Sequence, residues 1–167
     1  MDPKCQKLID TLNAAYTLSE SFDDFIECTE DDSMPYILEV ESEDGKTSVG
    51  RMTVQVNPQT KTVKIFEVVR LDQTNTYKGI GKQLILLAAC KAVSLNFGLE
   101  FTATPYSESD KLFEYYNSLG LTRQGNIRGK GRNRGLTYKT NSSTLQKIIS
   151  KMNGGRKTHK LNKSKAK

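Results

Sequence analysis

The stretch from Gln73 to Gln83, which reads Gln-Thr-Asn-Thr-Tyr-Lys-Gly-Ile-Gly-Lys-Gln, joins two apolar patterns of different period and constrains the fold more than any other part of the chain. Before it, Val63 to Leu71 is rich in β-branched residues and reads as a strand. After it, Leu84, Ile85, Leu86, Leu87, Cys90, Val93 and Leu95 make a helix too apolar to lie on a surface. Gly79 and Gly81 remove side chains where that helix begins, so its unbonded backbone N–H groups are open to an anion. Lys78 and Lys82 flank them with positive charge. A strand-to-helix turn of this kind predicts a phosphate or pyrophosphate cradle.

Two common phosphate loops fail against these residues. A Walker A loop needs glycine where Thr76 stands and serine or threonine where Gln83 stands. The dinucleotide fingerprint needs a third glycine at the position of Leu84, and no repeated strand–helix–strand pattern surrounds it.

The rest of the chain reads as one domain, residues 1–153, followed by a disordered basic tail, residues 154–167. Asp2 caps a helix entered at Pro3, with Cys5, Leu8, Ile9, Leu12 and Tyr16 on its apolar face. A short helix from Ser21 to Cys28 follows, carrying Phe22, Phe25 and Ile26. Three strands, Tyr36 to Glu41, Thr47 to Val56 and Thr62 to Leu71, are joined by polar turns as an antiparallel meander. The central helix runs from Gly79 to Phe97 and stops at Gly98. Then come a strand from Leu99 to Thr104, a helix from Glu108 to Leu119 capped by Ser107, strands at Leu121 to Gln124 and Gly135 to Lys139, and a helix capped by Ser142. No internal repeat is present.

Charge is segregated. Residues 17–45 carry eleven acids and no lysine or arginine, whereas residues 154–167 carry six bases and no acid, equal to the whole net charge of +6. Arg128, Lys130, Arg132 and Arg134 form a further basic cluster. Cys5, Cys28 and Cys90 are scattered without metal-like spacing and read as buried reduced thiols. With no export signal and no membrane-length apolar run, a cytoplasmic location, or a nuclear one, is expected. The only histidine, His159, lies in the tail, so Ser-His and Cys-His hydrolase chemistry and a His-containing metal site in the core are excluded.

The glycine turn, Thr76-Tyr77-Lys78-Gly79-Ile80-Gly81, resembles the acyl-CoA pyrophosphate loop of the GNAT superfamily of N-acetyltransferases, Gln/Arg-x-x-Gly-x-Gly/Ala. It departs at the first position, where Thr76 replaces Gln or Arg. Tyr116-Asn117-Ser118-Leu119-Gly120-Leu121 is similar to that family's Tyr-x-x-x-Gly-Phe, with Leu121 in place of Phe. The resemblance spans roughly residues 35–140. It implies an α/β fold with a mixed, largely antiparallel sheet of six to seven strands and helices on both faces. It also implies transfer of an acetyl group from acetyl-CoA to a primary amine, with no metal.

Carried over residue by residue, the resemblance makes Thr76, Tyr77, Lys78, Gly79, Ile80, Gly81 and Lys82 the pyrophosphate loop. It places the thioester between the strand ending at Leu71 and the strand from Leu99, with the backbone N–H of Val69 aimed at the thioester carbonyl. Ser109 stands where relatives carry a cofactor-binding Asn. Tyr116 is the candidate acid for the departing thiolate, and Tyr115 its packing neighbour. Glu67, the one acid in an apolar strand, is the candidate base; alternation puts it on the face of Ile65, Val69 and Leu71, where apolar neighbours raise a carboxyl pKa. The acidic segment, including Glu30, Asp31 and Asp32, suits a cationic acceptor: a polyamine, a lysine-containing peptide or an amino-sugar. A non-catalytic acyl-CoA-binding or nucleic-acid-associated module, with the basic tail as contact, stays open beside the enzyme.

Overall fold

The computed structural model describes residues 2–18, 21–27, 35–71, 77, 79–104, 111–130 and 134–152. Ser107, the Glu108 start of its helix and the tail fall outside these residues. So does the Glu30-Asp31-Asp32 run.

Helix α1 (Pro3–Ala15) is started by the Asp2 carboxylate, which accepts the Lys4 N–H at 2.8 Å. Its three- and four-residue spacing buries Cys5, Leu8, Ile9 and Leu12. Strand β1 (Tyr16–Leu18) follows without a loop, and α2 (Phe22–Glu27) buries Phe22, Phe25 and Ile26. The meander is β2 (Tyr36–Ser42), β3 (Ser48–Asn57) and β4 (Thr62–Arg70). Helix α3 (Ile80–Leu95), β5 (Gly98–Ala103), α4 (Lys111–Leu119), β6 (Arg123–Arg128), β7 (Gly135–Thr140) and α5 (Ser142–Lys151) complete the order.

The seven strands form one sheet in the order β1-β2-β3-β4-β5-β7-β6. Every pairing is antiparallel except β4 with β5, where α3 is the crossover. β1 is too short to carry a readable alternation; it forms as an edge strand on β2, Tyr16 opposite Ser42.

Two helix boundaries differ from the sequence expectation. α3 is stopped by Asn96, in the left-handed region at φ 60°, with the Asn96 and Phe97 N–H groups bonded back to Ala92. Gly98 instead opens β5, where a Cβ would stand 2.9 Å from the Thr140 carbonyl oxygen. α5 is capped by Asn141, whose side chain accepts the Thr144 N–H at 2.9 Å, rather than by Ser142.

The helices gather on one face of the sheet, not on both. Gly50 of β3 abuts Ile80, and Val68 of β4 lies against the Gly81 position, which sets α3 on the face of Met52, Val54 and Ile65. α1 and α2 pack on α3, and the Lys91 ammonium of α3 is buried in a hydrogen bond to the Phe25 carbonyl. α4 meets the same face through Phe101 and Tyr138. The other face presents Glu39, Arg51, Thr53, Lys64 and Thr102, residues content in water, so an antiparallel sheet can leave it open. Ile37 and Phe66 are about half exposed there, at 56% and 50%.

Cys5 and Cys90 are joined in a disulfide, Cα to Cα 5.9 Å, which overturns the reading of reduced thiols. Both were expected to be buried and both are, at 2% exposure. Their spacing of 85 residues holds no signal of the bond; the packing of α1 on α3 creates it.

Candidate active site

β4 and β5 pair only from Thr62 opposite Gly98 to Ile65 opposite Phe101. Beyond that point β4 stays on the β3 ladder to Arg70, and β5 stays on the β7 ladder to Ala103. The two strands therefore part, and a cleft of about 600 Å³ opens between them. Ile65, Phe101 and Ala103 form its apolar floor. Gly79 before α3, with Gly81 and Lys82 in its first turn, lines one side, and Leu112 and Tyr116 of α4 the other. This is the gap the sequence resemblance implies.

The glycines sit at its mouth. Gly79 is the residue before the first turn of α3, at φ 85°, with no side chain capping the helix. Among the described residues the Gln83 N–H is the first to bond back, to the Gly79 carbonyl, and the N–H groups of Ile80, Gly81 and Lys82 have no partner within the helix. Ile80 itself points into the core and is fully buried. The Lys82 ammonium lies 4.1 Å from the centre of the Tyr115 ring, bridging α3 to α4. Tyr77 packs on Tyr16, ring centres 5.9 Å apart. Thr76, Lys78 and Ser109 lie outside the described residues.

Tyr116 is 6% exposed and lines the cleft. Its ring is fixed edge-on to Phe101 at 5.2 Å and to Tyr138 at 5.6 Å. Tyr138, wholly buried, anchors the group, since its hydroxyl is shared between the Phe113 carbonyl at 3.2 Å and Asn117 Oδ1 at 3.0 Å. Burial, and then the neighbouring Tyr115 and Tyr138 phenols, push the Tyr116 pKa far above the ordinary phenol value. The group keeps its proton at every physiological pH. Tyr115 packs beside it as expected, half-buried, and burial raises its pKa too.

Two expectations are corrected by one local irregularity. Thr53 pairs with Glu67 but Val54 pairs with Ile65, so β4 carries one extra residue at Phe66. The bulge inverts the alternation. Ile65 and Val68 face α3, whereas Glu67 shares the open face with Val69, Thr53 and Arg51. Glu67 is not among apolar neighbours: it is exposed and bonded to Arg51 Nε at 3.1 Å, at the lip of the cleft. Val69 is the second correction. The Leu71 N–H bonds to Val49 on β3 at 2.8 Å, and the Val69 carbonyl lies against Gly50. By alternation the Val69 N–H also points at β3, and the backbone groups of Val68 and Arg70 turn toward the cleft. Val68 and Arg70 line it; Val69 and Leu71 do not.

The sequence reading missed Ile65, Phe101, Ala103 and Arg70 as cleft residues. Phe101 is buried on β5, and the parting of the strands makes it a floor.

No protein-family model matches the sequence, and no curated protein matches it. Solved structures match the fold. The spermidine/spermine N-acetyltransferase of Vibrio cholerae, in complex with manganese ions, superposes with a TM-score of 0.56 at 13% identity, over 81% of this chain and 98% of that one. Mutant forms of the same enzyme give 0.54 at 14% identity, over 86% and 91%. FdhC, a nucleotide-linked sugar GNAT, gives 0.52 at 14% identity, over 73% and 64%. A seven-stranded sheet parted at its one parallel pairing, with a glycine-capped helix at the opening, is therefore the GNAT acetyltransferase fold.

Proposed function

We propose that this protein is an acetyl-CoA-dependent N-acetyltransferase acting on a primary amine of a cationic acceptor. The observation that carries the reading is the cleft: parted strands, three N–H groups without a partner inside the helix at its glycine-flanked start, and a protonated phenol on the facing wall.

The residues fit the donor. Nothing lies within 4 Å of a Cβ position at Gly79, and at Gly81 only Val68 does, at 3.5 Å, so the helix start is open to a diphosphate. Ile80, Gly81 and Lys82 would hold it through their N–H groups, and Val68 and Arg70 would direct backbone donors at the acyl arm. Bound acetyl-CoA supplies an acyl carbon activated as a thioester and a thiolate leaving group. The cleft donors stabilise negative charge growing on the acyl oxygen as the amine nitrogen bonds to the carbon. Tyr116, holding its proton, donates a hydrogen bond to the departing sulfur. Glu67, on the open-face side of the same cleft, attracts the incoming ammonium and removes its proton through water, while Arg51 fixes the carboxylate's orientation. An amine near pKa ~10 is mostly protonated at neutral pH, so this step precedes attack.

The acceptor class rests on charge. Asp23 and Asp24 lie in the first turn of α2 and Glu39 and Glu41 on β2, and the Vibrio cholerae enzyme of the same fold acts, by its name, on spermidine and spermine. A polyamine or lysine-bearing peptide suits such an edge better than a neutral amine. The test is thiol release from acetyl-CoA with spermidine, a lysine peptide, an amino-sugar and a neutral aromatic amine, alongside thermal-shift titration with acetyl-CoA. Stabilisation with turnover of the cations is expected. Stabilisation without turnover of any amine makes the protein a binding module, and no stabilisation removes acetyl-CoA altogether.

A further inference from the structure

We infer that the β6–β7 edge of the sheet, with the hollow beside it, is a binding surface for a nucleic-acid backbone. Glu114 is the last acid in the sequence; the residues after it hold fourteen lysines and arginines and no carboxylate. The strand order carries this asymmetry into space. β1 and β2, with the acids of α2, end the sheet on one side, and β7 and β6 end it on the other.

β6 is an unusual strand. All six of its residues are exposed, so neither of its faces is covered. Only Arg123, Gln124 and Arg128 pair with β7, and Gly125 and Gly129 take positive φ, which lifts the intervening residues off the ladder. Arg123, Arg128 and Lys130 thus stand on a ridge that does no packing for the fold. Arg123 and Arg128 pair with Tyr138 and Gly135, so they stand roughly 10 Å apart along the ladder at about 3.3 Å per residue, the reach of about three phosphates of one strand. At the foot of the ridge lies a polar hollow of about 480 Å³, lined by Lys61, Lys139, Gln124, Thr122 and the start of α5, with no carboxylate among its described lining residues. Glu100, opposite Lys139 on the sheet, is engaged by Lys64 at 3.8 Å. The ridge and hollow together offer cations, amide and hydroxyl donors along one line.

The ligand chemistry follows from what is present and what is missing. Arginine and lysine recognise phosphates, while the aromatic ring of this edge, Tyr138, is fully buried and cannot stack on a base. The surface therefore reads the phosphate chain and not its sequence, and its affinity falls steeply with salt. It is separate from the cleft between β4 and β5, so it does not depend on the acetyl-transfer reading.

The test uses the full chain and short fluorescent oligonucleotides of one sequence as single-stranded RNA, single-stranded DNA and duplex, titrated by anisotropy from roughly 50 to 200 mM salt. Arg128→Glu with Lys130→Glu is compared with Lys7→Glu with Lys46→Glu, an equal charge change at exposed lysines elsewhere. Each single-strand phosphate contact contributes about 0.7 to the log–log salt slope, so losing two lowers the slope by about 1.4 and the affinity near 0.1 M salt by roughly 25-fold. That loss in the hairpin variant, with the control within about twofold, is expected, and the arm that binds tightest identifies the natural ligand form. Equal losses in both variants, no loss in the hairpin variant, no binding by wild type at low salt, or equal displacement by polyglutamate would each overturn the inference. Thermal melts and acetyl-CoA titration of both variants check that the fold and the cleft are intact.

Discussion

Replacing Gly81 by alanine separates ligand binding from folding. The added methyl meets one atom of the protein, Val68 Cγ1 at 3.5 Å, which is ordinary contact. Gly81 lies in the first turn of α3, where alanine is preferred over glycine by up to about 1 kcal/mol. The melting temperature is therefore expected to stay level or rise by roughly 2–4 °C. The methyl also stands on the cleft lining, beside the first-turn N–H groups that have no partner within the helix. A phosphate oxygen must come within about 2.8 Å of an amide nitrogen, and a carbon beside that nitrogen blocks the approach. Losing one such charged hydrogen bond costs about 1.5–3 kcal/mol, roughly 10- to 150-fold in Kd. Gly79→Ala is the contrast. No atom crowds its Cβ, but at φ 85° an alanine costs about 1–2 kcal/mol, so this variant loses stability before any ligand is added. Calorimetric titration with acetyl-CoA and a thermal melt on each protein are sufficient. Wild-type affinity in Gly81→Ala, or a loss of stability equal to that of Gly79→Ala, would refute the reasoning.

Tyr116→Phe keeps every ring contact and removes the proton, so kcat should fall roughly 100-fold with acetyl-CoA affinity within about twofold, read by steady-state kinetics and titration. The same substitution has a stability signature. Because the folded pKa of Tyr116 is raised, its contribution is fully present below about pH 10, where the unfolded phenol begins to ionise, and is lost as pH climbs further. That loss runs at about 1.4 kcal/mol per pH unit for one proton, and urea melts of Tyr116→Phe should show a slope shallower by that amount. Glu67→Gln should lower kcat most at pH values well below the amine pKa, leaving acetyl-CoA binding unchanged. The disulfide predicts one titratable thiol in the denatured, unreduced chain and three after reduction. Closing 85 residues is worth up to about 4.6 kcal/mol by chain entropy, so reduction should lower the melting temperature by roughly 5–15 °C.

The outline of the fold was legible because its signals are local. The glycine turn lies between a β-branched run and an apolar helix, and the caps at Asp2 and the polar turns of the meander follow from side-chain chemistry within a few residues. The failures are places where a neighbour decides. Whether Asn96 or Gly98 stops α3 depends on β5 needing a residue without a side chain at the Thr140 carbonyl. The extra residue at Phe66 is invisible in an alternating string, yet it turns Glu67 to the open face and leaves Val68 and Arg70, not Val69, toward the cleft. The open sheet face was misread because strand polarity alone does not say which side a helix will cover. Cys5 and Cys90 became partners only through helix packing.

The single inserted residue in β4 also separates two routes of entry. The glycine-lined opening belongs to the helical side, while the carboxylate of Glu67 looks out from the bare side, so in the proposed reaction donor and amine would arrive by different doors and meet in the middle of the sheet. Neither blocks the other's path. Such a layout imposes no order of loading, and initial-rate lines for the two reactants should intersect rather than run parallel, with each product a competitive inhibitor only of the reactant that shares its door.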